Sequence, residues 1–148
     1  MDQAAHAAAL DAGGTTTAVL AEGLASFEDR FSDGGVDSDS WLLASSLPPD
    51  VAWSKFHAMD RNRTIAALAD AVVVVAAGTS GGSWEQGVTC LKAGKRLLVP
   101  DFDPDIAPCN RRLIAKGAAP FDPEHPEAVL SLIAAKDGAP QQLGLLGR

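Results

Sequence analysis

The amino-acid sequence predicts an α/β domain in which a mostly parallel β-sheet lies between two layers of helices. Two observations support this prediction. Short apolar and β-branched runs alternate along the chain with segments of helical pattern, which is typical of βα repeats. The most apolar run, residues 71–77, leads directly into a glycine-rich turn and a further helix. Parallel sheets bind ligands at such turns, outside the carboxyl ends of their strands.

The first half of the chain begins with an alanine-rich segment, residues 2–12, which predicts a helix that ends at Gly13. Residues 15–21 are apolar and β-branched and predict a buried strand. The polar segment 26–39, rich in Asp, Ser and Gly, predicts a surface loop. Residues 41–47 predict a second strand, which two prolines end.

In the central part of the chain, residues 60–70 show helical spacing of their apolar side chains. The run 71–77 contains four consecutive valines, which predicts a central strand buried on both faces. After the glycine-rich turn, residues 84–93 predict a helix, and residues 96–100 predict another strand.

The remaining elements are shorter. Residues 111–116 predict a short helix, residues 118–121 an edge strand and residues 127–135 a closing helix. We therefore expect one domain over residues 1–136 and a flexible tail over residues 137–148.

Composition narrows the functional classes. A chain of 148 residues with 47% hydrophobic and 21% charged residues suits one ordinary globular domain. Its first residues lack the pattern of a signal peptide, and no apolar run is long enough to cross a bilayer, so we expect a cytoplasmic protein without membrane contact. Cys90 and Cys109 lack metal-ligand spacing, which predicts reduced thiols and neither a metal nor a cofactor. The net charge of −7 argues against a general nucleic-acid coat, although a local basic face is compatible with it.

The strongest candidate site is the turn of residues 78–83. Glycines allow close approach of the backbone to a ligand, and a helix N-terminus offers free N–H groups to a phosphate. The alternative is a plain βα turn capped by Ser83. The candidate phosphate-binding residues of this turn are Gly78, Thr79, Ser80, Gly81, Gly82 and Ser83.

Cationic and aromatic residues upstream of the valine run form a second candidate group. Arg61 and Arg63 open the helix before this run, and arginine binds phosphate oxygens in a bidentate manner. The alternative is a solvated helix face with Asp60 as a partner. Lys55 and Phe56 belong to a short aromatic and basic cluster, which suits stacking on bases but equally suits a lid over the core.

Glu85 is the one carboxylate placed to face a ligand at the turn. It is a candidate general acid or base, or a partner for a ribose hydroxyl. The alternative is a first-turn glutamate that stabilises the helix N-terminus.

Several segments together resemble a known family. They are residues 6–20, residues 61–75, Ser80-Gly81, residues 94–100 and residues 110–118, which match in order across roughly residues 2–121. These segments are similar to successive blocks of the Rossmann-like domain of the DNA-processing protein A family (DprA, also called Smf), within the SLOG superfamily.

The resemblance implies a protein that binds single-stranded DNA, usually as a homodimer, and helps to load a RecA-type recombinase during DNA uptake. It places Arg61, Arg63 and the Ser80-Gly81 turn at the DNA phosphates, with Lys55 and Phe56 nearby. It also makes Asn110 and Arg111 candidate DNA contacts.

The chain departs from the family pattern in three respects. It starts almost at the block that contains His6, so the family's first strand-helix unit is expected to be missing. It ends before any C-terminal winged helix, and residues 81–85 replace an apolar stretch. The short N-terminus favours a further hypothesis, that of a truncated, non-catalytic scaffold whose exposed strand edges are covered by a second chain.

Residues 78–85 also resemble the signature turn of the LOG (lysine decarboxylase-like) phosphoribohydrolases. Aligned on Glu85, two glycines of that signature fall on Gly78 and Gly81, whereas Thr79 and Gly82 depart from it. This second resemblance implies a nucleoside-monophosphate-binding enzyme that cleaves an N-glycosidic bond, with Glu85 and Arg61 as its catalytic residues. The sequence favours a binding protein over such an enzyme.

Overall fold

The structure, a computed structural model, describes residues 2–28 and 39–134. Most of the predicted loop over residues 26–39 and the predicted tail over residues 137–148 lie outside the described residues.

The chain divides into two compact units, Met1–Ile65 and Ala66–Arg148. Both units combine helices with parallel strands, which confirms the predicted Rossmann-like α/β class. The elements in chain order are α1 (Asp2–Asp11), β1 (Thr16–Val19), β2 (Trp41–Ala44), α2 (Lys55–Leu68), β3 (Ala71–Val73), α3 (Gly82–Lys92), β4 (Arg96–Pro100), α4 (Asn110–Ile114), β5 (Ala119–Phe121) and α5 (Ala128–Ala134).

The first unit is built on a parallel pair of strands, β1 and β2, in which Thr16 lies opposite Trp41. Helix α1 contacts β1. His6 Nδ1 and Thr16 Oγ1 lie 2.7 Å apart and form a hydrogen bond. The same ring lies 5.2 Å from the Trp41 ring, centroid to centroid. Ala18 and Leu20 join Trp41 in the buried core of this unit.

The second unit is built on three parallel strands in the order β3-β4-β5. Leu97, Leu98 and Val99 of β4 are almost completely buried, since helices α3 and α4 both contact this strand. The buried core adds residues from both helices, Cys90 and Leu113 among them. Because the three strands are parallel, their carboxyl ends all lie at the same end of the sheet.

The structure of the valine run, residues 71–77, differs from the predicted central strand. It forms a strand only over Ala71–Val73, and in the three-stranded sheet β3 lies at an edge while β4 is central. Val72 and Val74 are buried, whereas Val73 is 42% exposed. An apolar run is compatible with either position, and only pairing with neighbours decides which strand becomes central.

Helix α2 begins five residues earlier than its predicted start at residue 60. Ser54 supplies the cap, because its Oγ accepts a 3.1 Å hydrogen bond from the His57 N–H. A serine at the N-cap satisfies one of the free N–H groups of the first turn. Lys55 and Phe56 therefore lie on a helix.

Both cysteines are free and buried. Burial raises the pKa of the Cys90 thiol, an effect that the nearby Lys95 charge partly offsets. A buried thiol with a raised pKa is a weak nucleophile.

Within residues 2–28 and 39–134, no helix combines the length and the apolar character that a membrane span requires. The same residues contain no group of three or more His, Cys, Asp or Glu side chains suited to a metal ion.

Candidate functional site

The glycine-rich turn lies between β3 and α3, beyond the carboxyl end of the strand. All six of its residues, from Gly78 to Ser83, are exposed. Apart from the adjoining backbone, a Cβ atom built on Gly81 or Gly82 would meet no heavy atom of the described residues within 4 Å. The backbone of this turn is therefore open to a ligand from the solvent side.

Helix α3 starts at Gly82, two residues before its predicted start. Gly81 is the N-cap residue, with φ 108° and ψ −177°, and no side chain of the described residues caps the helix. The alternative interpretation, in which Ser83 caps the helix, is therefore wrong, because Ser83 lies inside the first turn. The first helical hydrogen bond runs from the Glu85 N–H to the Gly81 carbonyl, at 3.1 Å. The N–H groups of the residues before Glu85 have no acceptor within the helix, and such groups at a helix N-terminus bind anions.

The start of the turn is held in place by Asn110, which is completely buried. Its Oδ1 accepts a hydrogen bond from the Ala77 N–H, and its Nδ2 donates to the carbonyls of Val75 and Pro100, all at 2.9 Å. The Cys109 N–H donates to the Ala77 carbonyl at 3.1 Å. The amide of Asn110 thus ties the residues before Gly78 to the end of β4.

This burial corrects the expectation that Asn110 contacts DNA directly. All three polar contacts of its side chain are made to the backbone, so its amide has no face toward solvent. Asn110 is a positioning residue for the turn.

Glu85 and Arg111 are the other candidates in the second unit. Glu85 is exposed in the first turn of α3, where a carboxylate stabilises the positive end of the helix dipole. Arg111 Nε lies 3.1 Å from Asp101 Oδ1, and both side chains are at least half exposed. Such an exposed pair contributes little to stability and leaves the remaining guanidinium donors accessible.

The cationic candidates of the first unit differ in how they are held. Arg61 donates from Nη1 to the Val19 carbonyl at 2.9 Å and from Nε to Asn62 Oδ1 at 3.2 Å. The Val19 carbonyl lies at the carboxyl end of β1, so this guanidinium is fixed at the strand end. Arg63 is exposed and pairs with Asp60 at 3.0 Å, as the alternative interpretation expects.

Lys55 and Phe56 begin helix α2 at the surface. The side chain of Lys55 is exposed, and Phe56 is 75% exposed. The Phe56 ring meets the His57 ring edge-on, with centroids 6.0 Å apart. This exposure does not fit a lid over the core, and it leaves an aromatic face for contact with a ligand.

The predicted site residues fall into two groups. The second unit contains the turn, Glu85, Asn110 and Arg111. The Asn110 side chain accepts a hydrogen bond from the N–H of Ala77, the residue just before the turn. Lys55, Phe56, Arg61 and Arg63 belong to the first unit. Sequence analysis missed the contact between Trp84 and Arg112, because it depends on how α3 packs against α4.

Comparison with known proteins gives a consistent result. Residues 1–133 match the family described as DNA recombination-mediator protein A. The chain is 38% identical over 91 residues to the putative DNA processing protein DprA of Mycobacterium tuberculosis, covering 56% of this chain and 22% of that protein. It is 38% identical over 95 residues to DprA of Streptococcus pneumoniae, covering 63% and 33% of the two chains. Against DprA of Bacillus subtilis it is 32% identical over 123 residues, covering 80% and 41%.

Two solved structures share the fold. The structure of DprA from Streptococcus pneumoniae superposes with a TM-score of 0.72 at 29% identity, over 86% of this chain and 47% of that one. A DprA structure from Helicobacter pylori, described for its single-stranded DNA binding mode, gives a TM-score of 0.55 at 24% identity, over 64% and 44% of the two chains. The chain thus spans less than half the length of these relatives.

Proposed function

Because the chain belongs to the DNA recombination-mediator protein A family, we propose that it binds single-stranded DNA through the phosphates of the strand. The observation that supports this proposal most directly is the open, uncapped N-terminus of α3 behind the exposed turn. Backbone N–H groups and the helix dipole bind a phosphate without requiring a net positive protein. This mode of binding is compatible with the chain's charge of −7.

In this proposal the turn of residues 78–83 binds phosphate through its backbone and through the hydroxyls of Thr79, Ser80 and Ser83. Arg111 adds an accessible guanidinium in the same unit. Arg61, Arg63 and Lys55 are proposed as further phosphate contacts, and Phe56 as a surface on which a base stacks.

Replacing Gly81 with alanine tests the role of the turn. Its φ of 108° and ψ of −177° belong to a region that side-chain-bearing residues rarely occupy, so the backbone must shift. We expect the affinity for a labelled oligo-thymidine strand to fall about tenfold, since the N–H groups lose their common direction. Fluorescence anisotropy at fixed salt measures the change.

The matched control is Gly94→Ala, at the other end of α3. Gly94 also has a positive φ, 66°, and open space at its Cβ position, so the substitution strains the backbone away from the turn. We expect Gly94→Ala to keep the affinity of the wild type. Equal losses in both variants would remove the turn from the binding site.

Replacing Arg61 with alanine tests the first unit. We expect weaker binding of the strand and a salt dependence reduced by about one phosphate contact. Lys92→Ala removes an exposed cation at the last turn of α3 and serves as the charge control. An unchanged salt slope in Arg61→Ala would exclude Arg61 from the phosphate contacts.

The wider role that we propose is in DNA recombination, with a RecA-type recombinase as a protein partner and a homodimer as the active form. The family assignment supports these proposals. The phosphoribohydrolase alternative requires Glu85 as an acid or base, yet its exposed carboxylate in the first turn fits helix stabilisation. We therefore propose a binding protein and not an enzyme.

A further inference from the structure

A cation–π pair of side chains lies directly beside the turn. Trp84 follows Ser83 in the first turn of α3, and the Arg112 guanidinium carbon lies 4.8 Å from the centre of the Trp84 ring. Trp84 packs partly against the core of the second unit, whereas Arg112 is exposed. The indole is thus partly buried, and the exposed guanidinium lies over its ring.

The second partner of Arg112 is a sulfur atom. Arg112 Nη1 lies 3.5 Å from Cys109 Sγ, and Cys109 is buried at the start of α4. Neither this thiol nor the indole ring is an anion, so within the described part of the chain these two contacts give the Arg112 charge no counterion. The neighbouring Arg111 differs, because Asp101 balances its charge.

From this geometry we infer that the Trp84–Arg112 pair is a base-stacking site, at which a nucleobase lies on the Arg112 guanidinium with Trp84 beneath it. The inference rests on the proposed binding of single-stranded DNA and adds a residue pair that contacts bases. A guanidinium is planar and stacks on aromatic rings, and a cation supported by an aromatic ring keeps a defined orientation. Because every base has a π-face, such a site favours bases over bare backbone without selecting a sequence.

The position of the pair agrees with this role. A strand whose phosphate binds at the Gly78–Ser83 turn carries its base within a few ångströms of that phosphate, and Trp84 is the residue next to the turn. The turn would bind the backbone, and the pair would bind the adjoining base. The contributions of phosphate binding and of base stacking to the affinity can therefore be measured separately.

The test compares two labelled strands of equal length and charge, oligo-thymidine and an abasic strand, by fluorescence anisotropy. We expect the wild type to prefer oligo-thymidine by about tenfold. Arg112→Ala should lose this preference and also weaken binding of both strands. Arg112→Lys should bind the abasic strand with an affinity within about twofold of the wild type, because the positive charge remains. It should lose most of the preference for oligo-thymidine, because lysine lacks the planar guanidinium.

Two further variants separate stacking from charge and from folding. Lys116→Ala removes an exposed cation just beyond α4 and should weaken both strands equally, leaving the preference intact. Trp84→Phe should keep most of the preference, whereas Trp84→Leu should lose it. If Trp84→Leu proves unfolded by circular dichroism, Arg112→Lys decides the question.

The outcomes distinguish this inference from the proposed function. An unchanged preference in Arg112→Ala and Arg112→Lys would overturn the inference while DNA binding stands, and so would a wild type that binds both strands equally. A wild type that binds neither strand would overturn the proposed function itself.

Discussion

Replacing Gly23 with alanine is expected to destabilise the first unit by about 3 kcal/mol or more. A Cβ atom at this position would lie 2.1 Å from the Pro48 carbonyl oxygen and 2.2 Å from that of Pro49. These atoms belong to the backbone and cannot rotate away. The Gly23 N–H also donates to the Val51 carbonyl at 2.7 Å, and the Ala25 N–H to the Pro49 carbonyl at 2.8 Å, so separating the segments breaks hydrogen bonds.

Thermal unfolding followed by circular dichroism measures this effect, which we expect to appear as a midpoint about 10 °C lower. Gly13→Ala is the matched control, because Gly13 has a positive φ of 71° but no heavy atom within 4 Å of its Cβ position. Its expected cost is only about 1 kcal/mol of backbone strain. Similar midpoints for Gly23→Ala and Gly13→Ala would contradict the close approach at Gly23.

Replacing Asn110 with aspartate is expected to cost about 3 kcal/mol or more at neutral pH and to impair DNA binding with it. The substitution removes the Nδ2 donor and places an oxygen 2.9 Å from each of the carbonyl oxygens of Val75 and Pro100. It also places a carboxylate where the side chain has no exposed surface. The Ala77 N–H keeps its acceptor, but the strand ends that position the turn repel the new group.

The stability of the Asn110→Asp variant is expected to depend on pH. A buried carboxylate beside carbonyl oxygens binds a proton more readily in the folded than in the unfolded chain, so its destabilisation is greatest above neutral pH and shrinks as the pH falls. Unfolding midpoints measured between pH 5 and pH 8 should converge toward the wild type at the acidic end. Arg111→Ala, which breaks only an exposed ion pair, should cost less than about 1 kcal/mol and show no such convergence. A fully stable Asn110→Asp protein would contradict the positioning role of Asn110.

Much of the fold was predictable because its signals are local. The alanine-rich segment before Gly13 and the strand Arg96–Pro100 carry their structure in their own composition, and the structure confirms both. The start of α2 was missed although Ser54 offered a local capping signal. The position of β3 at an edge of its sheet was not predictable, because strand order depends on pairing with segments that are distant along the chain.

The candidate site shows the same division. The exposed turn followed from its glycines and from the adjacent apolar strand, and it lies where parallel sheets place ligands. The resemblance makes Asn110 a candidate DNA contact, whereas the fold buries its side chain between two strand ends, which no local pattern indicates. The Trp84–Arg112 pair joins residues 28 positions apart, and no periodic pattern links them.

The measurement that tests the proposed function most directly is an anisotropy titration of the purified protein with labelled oligo-thymidine at several salt concentrations, with AMP as competitor. We predict binding that weakens steeply with salt, by about 0.7 logarithmic units per phosphate contact for each tenfold rise in salt, and that AMP does not displace. No binding at any salt concentration would contradict the proposal. Displacement by AMP would instead indicate a mononucleotide site at the turn.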